Sequence, residues 1–236
     1  MHQFQIHPLA GNLDGSPFVF TNSALWMLIV LALLWLFMLG GMKRDLVPGR
    51  WQVAVEGVTG FVTSMLDTSV GPEGRKYVPW VFTIFMFILT LNLLGMIPHS
   101  FTVTSHIIVT FAFAAMVWIV VTLIGFWRHG FGFLRLFVPS GVPWWLLPII
   151  VPIELISYFI RPISHSVRLF ANMMAGHTML KVFAGFVVGL GVLGGWAPFA
   201  FVVAFTGLEV VVAFLQALIF TVLTCIYLND ALHMHH

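Results

Sequence analysis

The chain has 236 residues, 60% of them hydrophobic and 15% aromatic, and only 8% are Asp, Glu, Lys or Arg, against about 25% in an ordinary soluble domain. So few charges cannot coat a soluble fold of this size, which excludes a soluble enzyme and a disordered chain and leaves a polytopic membrane protein. The net charge of +2 forms no basic stripe, which argues against a nucleic-acid partner, and the lone Cys225 excludes an intrachain disulfide and a cysteine-built metal site.

Residues 1–22 read as an N-terminal segment outside the membrane. His2, His7 and Asp14 precede the first apolar run where a signal peptide would carry Lys and Arg, and that run is too long for a signal core. No residue is charged from Gly15 to Met42. About 20 apolar residues cross a bilayer, so the first span is 23–42.

The next segment, 43–76, carries half of the chain's charges, nine in all. Within it, 50–70 is predicted to be an amphipathic helix. Trp51, Val55, Val58, Val62 and Met65 share one face; Gln52, Glu56, Thr59, Thr63 and Asp67 lie elsewhere on the wheel. Such a helix lies in the membrane interface; the alternative is a loop helix packed on the spans.

From Tyr77 to Trp127 there are 51 uncharged residues, enough for two spans. These are predicted at 77–97 and 105–127. They are divided at Pro98-His99-Ser100, followed by the polar Thr102, Thr104 and Ser105. Two more apolar regions follow, 145–188 and 197–232. Both are too long for perpendicular spans. As continuous helices, 147–187 and 197–232 would measure about 61 Å and about 54 Å, against a hydrocarbon core of about 30 Å. Mismatch of that size needs steep tilt or a break. Pro152 and Pro162 are the candidate breaks. A tilted hairpin is favoured, turning at the Gly-rich stretch Gly189–Gly195.

Orientation follows from Lys and Arg. Lys43, Arg44, Arg50, Arg75 and Lys76 separate the first two spans, and Arg128 and Arg135 follow the third. The segments 98–105 and 182–208 hold neither. The N-terminus is therefore expected outside and the C-terminus inside. The chain reads as one domain, an all-α polytopic membrane protein of about five membrane helices plus one amphipathic interfacial helix, with the last two long and tilted.

Ionisable groups inside the membrane cost at least roughly 2.5–3.5 kcal/mol each at mid-bilayer, so they signal function. On the first long helix, Glu154, Arg161, His165, Arg168 and Asn172 fall within about 60° of one another at about 100° per residue. His177 lies on the opposite side from Arg168. On the last helix, Glu209, Gln216 and Tyr227 share a face, with Thr224 and Asp230 beside it. Polar stripes of this kind must face protein or water.

Arg168 is a permanent cation, because guanidinium does not lose its proton in proteins. It can lower the proton affinity of a carboxylate brought near it, or it can form a structural ion pair with Glu154 or Glu209. His177 and Glu209 can both take and give a proton, which suits a relay. Their seclusion in apolar sequence predicts that both line one wet cavity. Arg168 lies 23 residues before Gly191 and Gln216 lies 25 after it, so the two are expected level to about 3 Å. Arg161 and Lys181 are expected to snorkel toward the two interfaces. His99, His106, His165 and His177 are too scattered for a bis-His heme site, and HExxH, GxSxG and P-loop patterns are absent. No cofactor is expected.

The run Ser164-His165-Ser166-Val167-Arg168-Leu169-Phe170-Ala171-Asn172-Met173-Met174-Ala175-Gly176-His177 resembles the signature of subunit a of the F-type ATP synthase. Leu215 to Thr224, with Tyr227-Leu228, resembles that family's last helix. Asn92-Leu93-Leu94-Gly95-Met96-Ile97-Pro98-His99-Ser100 and the opening His2-Gln3-Phe4 to Pro8 also fit. The resemblance covers nearly the whole chain.

The resemblance implies a stator subunit that is not an enzyme on its own. It would lie beside a ring of c subunits, with b-type peripheral stalk subunits, the rest of the ATP synthase and the lipid bilayer as further partners. Two offset aqueous half-channels would serve a carboxylate on each c subunit. Arg168 matches the essential arginine between them. Asn172, His177, Glu209 and Gln216 match polar positions near it or in the outer half-channel, and Glu154 an acidic position toward the inner one. Ser157, Ser164, His165 and Tyr227 are weaker candidates on the same path. The order His177 then Glu209 looks like the mitochondrial-type arrangement, in which acid and imidazole have exchanged helices. The implied location is an energy-transducing inner membrane, with the bacterial one favoured over the mitochondrial. A self-contained secondary transporter is the competing class, although transporters show repeated halves and this chain has none.

Overall fold

The computed structural model describes residues 8–10, 20–41, 49–97, 102–138 and 143–233. His2, Gln3, Phe4, His7 and Asp14, the loop cations Lys43 and Arg44, and the Pro98-His99-Ser100 break lie outside the described residues. Six α-helices account for most of the rest: α1 (Asn22–Gly41), α2 (Arg50–Ser69), α3 (Val78–Gly95), α4 (Ile107–His129), α5 (Leu147–Gly194) and α6 (Trp196–Leu232). All but α2 belong to helical segments long and apolar enough to cross a membrane. One feature was not anticipated: β1 (Pro8–Ala10) pairs antiparallel with β2 (Phe20–Thr21) just before α1.

α1 is apolar all round and buries only Ser23 and Val30, as expected of a span at the edge of a bundle. It is fastened to α2 by Trp51, whose Nε1 donates to the Phe37 carbonyl at 2.9 Å while its ring tilts against that of Phe37. Gly40 and Gly41 permit this corner, because a Cβ on either would collide with Trp51 or Val55.

α2 packs on α1, α3 and α6. Its buried face is rotated from the expected one: Val55, Val62 and Leu66 are buried, whereas Trp51 is exposed and Met65 only half-buried. Val53 is exposed, and Phe61, although partly exposed, tilts its ring against core Phe85, which gives α2 further apolar surface suited to a membrane interface. Its charged end is held by a bidentate pair, Arg75 Nε and Nη2 donating to Asp67 at 3.0 and 2.9 Å. That guanidinium holds the Asp67 carboxyl below its ordinary value.

The core lies where α2, α3 and α4 meet the second half of α6, around Val62, Leu66, Phe85, Val117, Phe220 and Leu228. Fully buried Asn92 of α3 donates Nδ2 to the Ala213 carbonyl of α6 at 3.3 Å. Arg128, at the end of α4, pairs with Glu73 in the turn before α3. Basic residues from two segments distant in sequence therefore gather at one end of the bundle.

α5 runs for 48 residues and α6 for 37; the uninterrupted part of α5, 147–190, is about 66 Å long and α6 about 55 Å at 1.5 Å per residue. Pro152 and Pro162 do not break α5. The only non-helical residue inside it is Gly191, at φ +60°, a conformation that glycine adopts without steric cost. The chain reverses there, closing with Gly195 N–H donating to the Gly191 carbonyl at 2.9 Å. α5 and α6 then pack along each other as an antiparallel hairpin.

Candidate functional site

The hairpin carries two polar clusters with Arg168 between them. Near the turn, His177 of α5 faces Glu209 of α6, with Nδ1 2.9 Å from Oε1. Nδ1 also lies 3.2 Å from the Met173 carbonyl, and Nε2 lies 2.9 Å from the Gly95 carbonyl at the end of α3. Thr102, fully buried, donates its hydroxyl to that same carbonyl at 3.3 Å and sits 3.5 Å from Nε2. Acceptors thus face both ring nitrogens. A neutral imidazole has one N–H and serves only one of them; an imidazolium serves both.

Two local features make this approach possible. Gly176 is one: a Cβ on it would stand 2.7 Å from Glu209 Oε1. The other is the short helical turn Val103–Ser105, which packs on α5 and brings Thr102 inward. Beside the pair, a cavity of about 180 Å³ is lined by Asn172, Gly176, Met179, Leu208, Glu209 and Val212. Glu209 is on its wall and His177 is not. The expectation that both residues line one cavity is corrected accordingly: His177 sits behind the acid, turned toward α3.

Arg168 is exposed and makes no hydrogen bond or ion pair among the described residues. The expected alternative, a pair with Glu154 or Glu209, is not formed: Glu209 faces His177, and Glu154 is half-buried without an ion pair among the described residues. Gln216 is buried, at 6% exposure, but no hydrogen bond joins it to Arg168. The polar stripe of α5 does not lie in the middle of the buried face. It follows that face's edge, with His165 turned in, Asn172 half-buried, and Ser157, Ser164 and Arg168 turned out among Ile156, Ile160, Ile163 and Val167. His165 packs on the rings of Phe220 and Tyr227 at 4.8 and 5.3 Å, and its buried Nε2 has no hydrogen-bond partner among the described residues.

At the open end of the hairpin, Arg161 is not a free snorkelling residue. Its Nη1 lies 3.2 Å from Asp230 Oδ2 of α6, and its guanidinium lies over the rings of Tyr227 at 4.6 Å and Tyr158 at 5.3 Å. Tyr158 in turn shares a 2.6 Å hydrogen bond with Thr122 of α4. The reason for the correction is that α6 is long enough to bring a carboxylate level with Arg161, so the guanidinium finds a partner without reaching for water. Lys181 is exposed. Among the described residues, no three of His, Cys, Asp or Glu converge as a metal-holding group.

Sequence reasoning missed Gly95, Thr102 and Gly176. Gly95 acts through its carbonyl, and Thr102 is 75 residues from the ring it meets, so neither leaves a periodic signal. Gly176, adjacent to His177, is the one whose small size next to a buried polar residue was readable.

A family model described as ATP synthase A chain matches residues 23–229. A protein of Pelagibacter ubique named ATP synthase subunit a is 55% identical over 100% of this chain and 98% of its own. A Chelativorans protein of the same name is 56% identical over the same shares, and one from Sphingopyxis alaskensis is 51% identical over 100% and 96%.

Proposed function

The chain belongs to the ATP synthase A-chain family, and on that premise we propose that it is the proton-conducting stator subunit of the F0 sector of a rotary F-type ATP synthase, with Arg168 as the fixed cation past which the c-ring carboxylates move. The observation that carries this reading is the placement of Arg168: a permanent charge, exposed and without an ion partner among the described residues, on an apolar flank of a long membrane helix. Lipid is no home for such a group. It calls for a protein partner that presents a carboxylate at membrane depth, and the c subunits meet that description.

In this reading the cavity beside Glu209 belongs to the outer half-channel. A proton entering it reaches Glu209, with His177 as its paired base, and passes along Asn172 and Gln216 to the ring. Arg168 discharges each arriving carboxylate by stabilising its anion. It also repels a proton that would leak directly between the half-channels. Glu154, Ser157, Ser164, His165 and Tyr227 line the inner route. We take the basic cluster around Arg128 and Lys76 to face the inside, by the Lys/Arg bias of membrane proteins, with the N-terminus outside and the C-terminus inside an energy-transducing membrane, the bacterial inner membrane in this reading. The exposed apolar flank of α1 is open to lipid and to the b-type stalk. All of 1–236 acts as one membrane domain.

The test is Arg168→Ala and Arg168→Lys in assembled complexes, read as ATP synthesis driven by an imposed proton gradient. Removing a preorganised charge that acts at the reacting group costs on the order of 100-fold or more. Lys is expected to fail as well, because it lacks the planar fork and can lose its proton when buried. Substantial synthesis by assembled Arg168→Ala complexes overturns the role.

A further inference from the structure

The Arg161–Asp230 pair at the open end of the hairpin is not used by the proton route above. Arg161 and Arg168 are seven residues apart, two turns along the same stripe of α5. Asp230 comes from α6 and is level with Arg161, 3.2 Å from it. Tyr227, one turn before Asp230, packs its ring on the Arg161 guanidinium at 4.6 Å. A second carboxylate is therefore held two helical turns, about 10 Å along α5, from the cation that must stay free, and its partner is Arg161.

We propose that Arg161 is a positioning residue that sequesters the Asp230 carboxylate and so keeps it from acting as a resident counter-ion for Arg168. This rests on the reading of Arg168 given above and extends it to a residue outside the proton path. Three features of the site fit sequestration better than simple bracing. The pair is ionic, although two aromatic residues would join α5 to α6 without any desolvation cost. The cation packs on two tyrosine rings, and one of those rings is itself tied to α4 through Thr122, which holds Arg161 beside Asp230. Within the pocket that the pair helps to line, the free space is about 10 Å³, at the limit for a single water, so on that side the Arg161 guanidinium is what neutralises the carboxylate.

Sequestration makes an epistatic prediction that bracing does not. With Arg161 neutralised, Asp230 is left without its partner at one end of an electrostatic series whose other cation is Arg168. Neutralising Asp230 as well removes the competitor. If the pair merely braced the helices, loss of both partners would be at least as harmful as loss of one.

The experiment uses the whole ATP synthase in inverted membrane vesicles, read as ATP-driven proton uptake at equal amounts of assembled complex. Arg161→Gln is expected to lower uptake at least about tenfold, Asp230→Asn to retain at least about half, and Arg161→Gln with Asp230→Asn to recover to within about threefold of the parent. A double variant no better than Arg161→Gln, or Asp230→Asn as damaging as Arg161→Gln, overturns the proposal. If Arg161→Gln does not assemble, Arg161→Lys supplies the same test, because a retained cation must then retain uptake; its loss sinks sequestration. Arg168→Ala in the same vesicles separates the two readings. Residual uptake there overturns the role of Arg168, whereas failure of the double variant to recover, with Arg168→Ala inactive, overturns the role of Arg161 alone.

Discussion

The two ends of the α5–α6 hairpin hold one acid and one base each, yet they are built differently. At the turn end the base is an imidazole and the acid sits on the wall of a cavity of about 180 Å³. At the open end the base is a guanidinium, and the free space in the pocket it helps to line is about 10 Å³. Imidazole and carboxylate can each gain or lose a proton, and space beside them admits the water that delivers it. Guanidinium keeps its charge, and two tyrosine rings pack against it. The same pairing of elements thus serves transfer at one end and permanence at the other, and Arg168, alone between them, is the group whose charge must be neither carried off nor cancelled.

The largest expected effect comes from breaking the transfer end. Glu209→Gln or His177→Ala removes one half of the relay, and losing a positioned proton-transfer group costs on the order of 100-fold in gradient-driven ATP synthesis. The exchange His177→Glu with Glu209→His keeps one acid and one imidazole facing each other, so it is expected to outperform both His177→Glu and Glu209→His singly. An exchange worse than both single changes would mean that the residues do not act together.

Next is Gln216. It is buried, and among the described residues no hydrogen bond joins it to Arg168. Gln216→Glu would offer the guanidinium a carboxylate that competes with the ring, whereas Gln216→Asn keeps an amide that cannot cancel its charge. Proton uptake is expected to fall by roughly tenfold with Glu, about one pKa unit's worth of competition, and by less with Asn. Equal losses would place Gln216 outside the neighbourhood of Arg168.

Gly176→Ala is a finer probe of the same end. The new Cβ would stand 2.7 Å from Oε1, and Glu209 is flexible enough to turn aside. Assembly should therefore be unaffected while uptake falls several-fold, because the carboxylate leaves its 2.9 Å approach to His177. Full activity in this variant would show that the close approach is not needed.

These residues also mark what the sequence reveals and what it conceals. The spans, the tilted hairpin and the apposition of His177 with Glu209 follow from apolar runs interrupted by isolated charges, because an ionisable group in hydrocarbon must find a partner. The rotated face of α2 was hidden because Val53 and Phe61 give that helix further apolar surface, and periodicity alone cannot say which part meets protein. Arg161 was misread because its partner lies 69 residues away. The carbonyl that fixes His177 was invisible, since every residue carries one.

The smallest effect is expected at a third ion pair, far from both ends. Asp67 and Arg75 form a bidentate contact at 2.9 and 3.0 Å, better in geometry than Arg161–Asp230 at 3.2 Å, but the Arg75 side chain is 67% exposed. Water screens such a pair, and exposed pairs contribute little. The direction of its pH dependence is fixed: Arg75 lowers the folded-state value of Asp67, so any stabilisation is present above the unfolded value and is lost as pH falls through the folded one. Near neutral pH, Asp67→Asn is expected to leave proton uptake and thermal midpoint within error of the parent. It should blunt only the acid-side decline in midpoint. A neutral-pH loss in Asp67→Asn comparable to that of Arg161→Gln would show that pairing as such, and not its seclusion beside Arg168, is what the open end requires.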